Sequence, residues 1–377
     1  MSDLETPLEP AKESLSNQPG SKLKYFFPIF RFREFFSNSR DSLVGKSIIS
    51  TVDQVALSAT NFLVGITLLK TIGLGDYGRY SFFFSLLMLI ISMHSALIVS
   101  PMNVLIAGKG KEEGNQYITS LLVGQFLVFL PFLILGFAAV FISKFFESST
   151  FNWLSISMLL LAGLGAVSRE FFKPVFYNRP RAVFVLWIDL VYIGSYLTLF
   201  LTTILSGKIH WHLVYGYIFI ASVVAGILGV YYLHRASFLS RVKNIWGSIR
   251  ENFEHGRWIL PSVIIANISN YSFMYLLVFL LGDEEAGLAS GTRLTVMPLL
   301  LCMQSWTKVA VPHGSKLRES FQLHSLNQML VKSTAIFISG IALYGLGIIF
   351  FRNESSLKTN YQEFSYWAVM SIHESGV

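Results

Sequence analysis

The sequence predicts an all-α polytopic membrane protein, and three observations carry that reading. The 377-residue chain is 53% hydrophobic and only 14% charged, outside the range of soluble globular domains. Nine stretches, roughly 47–69, 80–100, 117–142, 151–167, 182–204, 213–233, 258–281, 287–307 and 329–351, are each long and apolar enough to cross a bilayer. The hydrocarbon core takes about 20 residues of helix, so spans this dense leave no length for a soluble catalytic domain. The third observation is that the positive charges sort to one side of the membrane.

With the N-terminus placed in the cytoplasm, the inward segments hold Lys22, Lys24, Arg31, Arg33, Arg40, Lys46, Lys109 and Lys111. Arg169, Lys173, Arg179, Arg181, Arg235, Arg241, Lys243, Arg250 and Arg257 follow, then Lys308, Lys316, Arg318 and Lys332. The outward segments hold only Lys70, Arg79, Lys144, Lys208, Arg352 and Lys358. That bias orients a multi-pass protein of the inner (plasma) membrane with its N-terminus inside. The net charge of +7 therefore reports topology and contact with anionic membrane lipids, with no nucleic-acid partner.

Taken in order, residues 1–20 are polar and rich in Ser, Glu, Pro and Asn, with no cleavable signal peptide, and read as a disordered cytoplasmic tail. Leu23 to Phe36 alternates aromatics with arginines, as an amphipathic segment in the headgroup region does. Residues 1–45 thus form a cytoplasmic tail, 46–235 a first six-helix lobe, 236–257 a cytoplasmic inter-lobe loop and 258–377 a partial second lobe. The lobes are inferred from a repeat. Gly45-Lys46 precedes the first span and Gly256-Arg257 the seventh. The first closes on Leu74-Gly-Asp-Tyr-Gly78 and the seventh on Leu281-Gly-Asp-Glu-Glu-Ala-Gly287. Both spans run the same way, so the repeat is parallel and places a substrate between the halves. Six spans per lobe predict twelve in total. The chain reaches Val377 soon after the ninth, with Phe364 to Ile372 resembling the start of a tenth, so the second lobe reads as incomplete, with about 9–10 of 12 spans.

These stretches carry a family resemblance. Leu74-Gly-Asp-Tyr-Gly-Arg-Tyr80 resembles the "LGPxxFGxY" exit from the first span of the polysaccharide-biosynthesis (O-antigen and capsule repeat-unit) flippases, within the multidrug/oligosaccharidyl-lipid/polysaccharide exporter superfamily. Ser168-Arg-Glu-Phe-Phe-Lys173 with Asp189, Gly256-Arg-Trp-Ile-Leu260, Glu285-Ala-Gly287, Pro298 and Val309-Ala-Val-Pro312 extend the likeness over about residues 44–351. The resemblance implies a MATE-like two-lobe helical bundle. It also implies ion-coupled movement of an undecaprenyl-diphosphate-linked glycan from the inner to the outer leaflet. Surface polysaccharide (O-antigen, capsule or exopolysaccharide) would be built from it, with a polysaccharide polymerase and a chain-length regulator as partners. The incomplete second lobe is the departure from the pattern.

Charges placed in apolar spans mark functional candidates. Arg293, about two turns into the eighth span, suits phosphate oxygens through its guanidinium fork, or else snorkels or pairs with Glu285. Lys308 at the inner end of that span is a second diphosphate contact or a plain positive-inside anchor. Gln54, Ser58, Asn61 and Gly65 share one face of the first span, with Asp53 beside it, and line a cavity or bond between helices. Asn267 and Asn270 take the corresponding place in the seventh span. Asp53 and Asp189 are the candidates for ion coupling, with Arg169 or Arg181 as alternative structural partners of Asp189. His94 is a titratable or packing histidine, Cys302 a packing residue, and Pro131, Pro261 and Pro298 are kinks available to a rocking motion.

No Asp-x-Asp, HExxH, Gly-rich phosphate loop or Ser/His/Asp set is present, so the sequence points to no enzyme, metal or cofactor. A membrane glycan polymerase or acyltransferase is disfavoured by the short outward loops before the ninth span. A cation-coupled multidrug exporter of the same superfamily stays open, as does a truncated, non-transporting remnant.

Overall fold

The computed structural model describes residues 43–143, 152–178, 181–207, 209–299 and 323–352. Every regular element among them is helical. Helix α1 spans Leu43–Thr71. Helix α2, Leu74–His94, continues through a π-helical turn, Ser95–Val99, into α3, Ser100–Gly108. Then come α4 (Lys111–Ser143), α5 (Trp153–Glu170), α6 (Phe172–Asn178), α7 (Val183–Leu205) and α8 (Leu213–Arg235). A short α9 (Ile245–Gly256) leads to α10 (Ile259–Leu280), α11 over residues 283–299, and α12 (Leu323–Arg352).

Among the described residues, eight stretches are long and apolar enough to span a membrane: Ile49–Thr71, Leu74–Ile106, Lys111–Ala138, Trp153–Asn178, Val183–Leu205, Leu213–Arg235, Ile259–Leu280 and Asn327–Leu346. Each overlaps a stretch expected from sequence. The ninth, 287–307, begins in α11 and runs beyond the described residues. The protein is a multi-pass membrane protein. Lipid-facing surface is evident on α4, where Phe126, Leu130, Ile134, Phe137 and Phe141 recur at helical spacing and are exposed.

Small residues set the core of the first six spans. Helices α5 and α8 meet along Ala162, Gly165 and Ala166 on one side and Ala221, Ser222 and Ala225 on the other. A Cβ on Gly165 would lie 2.9 Å from the Ser222 Cβ. Backbones approach this closely only where side chains are minimal, the usual packing rule where lipid offers no hydrophobic drive.

Two breaks in the rods have identifiable prolines. Pro101 has no N–H to give Leu97 or Ala96, and the helix widens into the π turn just before it. Pro174 cannot bond the Glu170 carbonyl, and α5 breaks from α6 at Phe171. Neither residue was among the prolines singled out in the sequence, yet each sets a bend.

The 236–258 connection is strapped to the first six spans. The Asn115 amide donates to the Ser237 carbonyl at 3.0 Å, and the Ser240 N–H to Thr119 Oγ1 at 3.0 Å. Asn244 caps α9 by accepting from the Gly247 N–H at 2.8 Å. The fully buried Asn252 accepts from the Tyr117 hydroxyl and donates to the Ile98 carbonyl, 3.2 Å away, inside the π turn. Lys109 reaches Glu251 at 2.9 Å and Glu113 at 3.1 Å. Burial works against the Lys109 charge, but the two carboxylates hold its pKa above the usual lysine value. That stabilisation is present below the ordinary lysine pKa and fades only as strongly alkaline pH is reached. Replacing Asn252 by leucine orphans the Tyr117 hydroxyl and the Ile98 carbonyl, with an expected loss of about 1–3 kcal/mol. A matched pair of thermal melts in detergent, wild type against Asn252→Leu, checks it.

At the end of the bundle away from α9, α2 and α11 cross with their first turns in backbone contact. A Cβ on Gly78 would overlap the Asp283 carbonyl and lie 2.9 Å from the Gly287 nitrogen. A Cβ on Gly287 would overlap the Leu74 carbonyl and lie 3.1 Å from the Gly78 nitrogen. Each glycine thus meets the residue four positions before the other, the reciprocity a twofold axis between the helices produces. Gly78 and Gly287 are the closing glycines of the two sequence repeats. Arg79 Nε binds Asp283 at 2.7 Å across the same crossing.

Candidate functional site

The break at Phe171 turns the end of the fourth span so that Arg169, Glu170 and Lys173 face α1 and α7. Lys173 Nζ lies 2.9 Å from Glu170, 3.4 Å from Asp189 and 3.7 Å from Asp53. Arg169 lies 2.8 Å from Glu170 and 3.4 Å from Asp189, with its guanidinium 3.9 Å above the Tyr192 ring. Asp53 and Asp189 share Lys173 Nζ, which brings their carboxyls close together. Asp189 is 1% exposed, Asp53 4% and Arg169 7%.

Three carboxylates therefore face two cations in a largely buried cluster, one negative charge in excess when all are ionised. Burying an uncompensated charge is costly. One proton or one monovalent cation makes the cluster neutral. Acceptor capacity for it is left over: Asp53 Oδ1 and both oxygens of Asp189 are buried without a hydrogen-bond partner, although Asp189 sits within ion-pair range of its cations. Next to this cluster, on α2, His94 is 2% exposed with neither ring nitrogen hydrogen-bonded, beside Gln125 and within reach of the Glu170 charge.

The other sequence candidates lie elsewhere. Arg293 is half-buried on α11, donates to the Asn270 carbonyl at 3.2 Å, and lies over the rings of Tyr271 (4.8 Å) and Phe273 (5.5 Å). Asn270 thus meets Arg293 through its backbone, with the residue itself exposed. Asn267 is buried and donates to the Val263 carbonyl of its own helix at 2.9 Å. On α1, Gly65 packs against Leu294 of α11, with a Cβ there 3.1 Å from it. Along the same face toward α9, Asn61 and Ser58 are half-buried and Gln54 exposed. Lys308 lies outside the described residues.

Sequence reasoning weighed Arg169 as a partner for Asp189 and left Lys173 as an inward-loop cation. The missed signal was local: Arg169, Glu170 and Lys173 sit within one helical turn of each other at the end of an apolar span, a spacing that presents them together. Arg181, the other partner weighed for Asp189, lies instead over the Phe184 ring, 5.6 Å from its centre.

A family model described as polysaccharide biosynthesis protein matches residues 102–318, more than half of the chain. The chain belongs to the polysaccharide biosynthesis protein family. The matched range takes in the charged residues of α5 to α7 and Arg293. No curated protein matches. Among solved structures, a chain named protein A is 18% identical with a TM-score of 0.61, over 84% of this chain and 75% of that one. The structure of the MATE multidrug transporter DinF-BH is 17% identical with a TM-score of 0.59, over 85% of this chain and 77% of that one. At such identities the likeness is one of fold: this family member is an all-α bundle of MATE-like architecture.

Proposed function

We propose that the protein is a flippase that carries undecaprenyl-diphosphate-linked oligosaccharide units across the inner membrane for surface polysaccharide synthesis. The observation that carries this reading is the pairing of a family match to polysaccharide biosynthesis with a buried, charge-imbalanced cluster in a MATE-like bundle. Residues 46–235 and 258–377 act as two lobes, joined by the 236–257 loop on the cytoplasmic side. The Gly78–Gly287 crossing closes the outer end, and the cleft between the lobes opens inward.

In this cycle the cleft receives diphosphate and first sugars while the polyprenyl tail stays in lipid. Arg293 supplies the cation for phosphate oxygens, held ready by the Asn270 carbonyl and two aromatic rings. Asn61, Asn267 and Lys308 complete the polar lining. The cluster of Asp53, Glu170, Asp189, Arg169 and Lys173 takes up the coupling ion, and its neutralisation biases the lobes between their two arrangements. Polymerase and chain-length regulator act on the delivered units. Arg293→Ala is expected to lower surface glycan about tenfold at unchanged protein level, with lipid-linked units accumulating. Undiminished glycan output removes Arg293 from the site.

The DinF-BH fold supports a second reading, a cation-coupled multidrug exporter. A deletion strain separates the two. Accumulated polyprenyl-linked glycan supports the flippase, and normal glycan pools with new sensitivity to cationic drugs support the exporter.

A further inference from the structure

Helix α9 is held to the bundle by one stripe, and that fixes what its other side faces. Ile249 packs against Gly124 of α4, Asn252 is bonded to the π turn, and a Cβ on Gly256 would lie 2.6 Å from the Ala96 carbonyl. These residues recur at helical spacing, and the specific bonds at Asn252 leave the helix no freedom to roll. The neighbouring stripe is Trp246, Arg250, Phe253 and Arg257, one turn apart each and all pointing away from the bundle. Trp246 is 73% exposed and Phe253 52%, and Trp258 at the head of α10 is 76% exposed.

The location decides what such a surface meets. Helix α9 joins the ends of two spans, Leu213–Arg235 and Ile259–Leu280, so it lies at the edge of the hydrocarbon layer. Large amphipathic rings belong at that depth, in the headgroup zone. The charge is complementary to it. Residues 235–258 hold Arg235, Arg241, Lys243, Arg250 and Arg257 against Glu251 and Glu254. Glu251 is taken by Lys109 at 2.9 Å. Glu254 pairs with Arg250 at 3.0 Å, but both are exposed, and such a pair holds its arginine weakly. Arg257 lies over the Trp258 ring, 5.3 Å from its centre, so that aromatic and cation present together.

We infer that the outward stripe of α9 is a binding surface for anionic phospholipid: its rings insert among the acyl-chain roots and its arginines bind headgroup phosphates. The neighbouring stripe is docked on the π turn beside His94, so the lipid contact anchors the connection between the two halves of the bundle. The inference is independent of what the protein carries, since it needs only the membrane placement of the spans.

The test uses the full chain in lipid nanodiscs, with the single cysteine Cys302 replaced by alanine and a nitroxide on Phe253→Cys. In phosphatidylglycerol discs, relaxation of the label by oxygen should exceed relaxation by a water-soluble nickel chelate, and in phosphatidylcholine discs the order should reverse. Each cation contributes about a five-fold gain in attraction to an anionic surface. The Arg250→Gln/Arg257→Gln variant should therefore show the phosphatidylcholine pattern in phosphatidylglycerol discs. A label open to the nickel chelate in both lipids overturns the proposal. Equal oxygen access in both also overturns it, leaving an apolar contact without headgroup selectivity. A label shielded from both agents overturns it in favour of a second copy of the chain. The lipid comparison needs no charge variant, so a poorly folding variant does not rescue the idea.

Discussion

Gly78→Ala is expected to lower transport about tenfold or more, a larger effect than most single methyl additions. The added Cβ falls on the Asp283 carbonyl and 2.9 Å from the Gly287 nitrogen, both backbone atoms of a packed helix that no rotamer change can move aside. Overpacking of this kind costs about 1–3 kcal/mol. The cost falls on the arrangement in which α2 and α11 cross, so it shifts the closed end toward the open one by a factor of about five to 150. The ion pair of Arg79 with Asp283, 2.7 Å long at the same crossing, is strained with it. Gly75→Ala is the matched control. Its Cβ would meet only the Glu284 Cγ, at an ordinary 3.5 Å, and near-normal transport is expected. Nitroxides at the exposed Leu74 and Leu281 report the geometry directly, with a longer distance in Gly78→Ala and an unchanged one in Gly75→Ala. Equal transport and equal distances in both variants would show that the crossing is not a gate.

That crossing also shows how much was legible beforehand. The glycines at 78 and 287 stood out as repeat positions, because a parallel repeat leaves the same residues at the same turn. Their contact was not legible, since it depends on how two distant helices lean together. The spans themselves were readable because burial in lipid demands long uninterrupted apolar runs, and local composition reports that directly. Asp53 and Asp189 were readable for the converse reason, each being a carboxylate inside such a run. Lys173 was not, because a cation at the end of a span is what topology alone requires. Only the bend at Phe171, set by Pro174, turns it inward to meet three carboxylates. Asn270 was read as a side chain, whereas its carbonyl is what holds Arg293, and any residue supplies a carbonyl.

The charge cluster makes opposite predictions for two of its members. Lys173→Met leaves three carboxylates facing Arg169 alone, and breaking a buried network in this way costs about 3–5 kcal/mol. The expected result is a fall of roughly 10 °C in the thermal midpoint in detergent and poor accumulation in the membrane. Asp53→Asn has the reverse electrostatics. It removes the surplus negative charge while keeping the shape, so the folded protein should be as stable as wild type or more so. On the proposed coupling role of Asp53, transport should become insensitive to the ion gradient. The double variant returns the cluster to the wild-type surplus of one charge. Its stability should recover most of the Lys173→Met loss, a non-additivity that a double-mutant cycle reads out. A Lys173→Met protein as stable as wild type would mean that water, not Lys173, compensates the carboxylates. Gradient-dependent transport that survives Asp53→Asn intact would take Asp53 out of the coupling site and leave the surplus charge to Asp189 and Glu170.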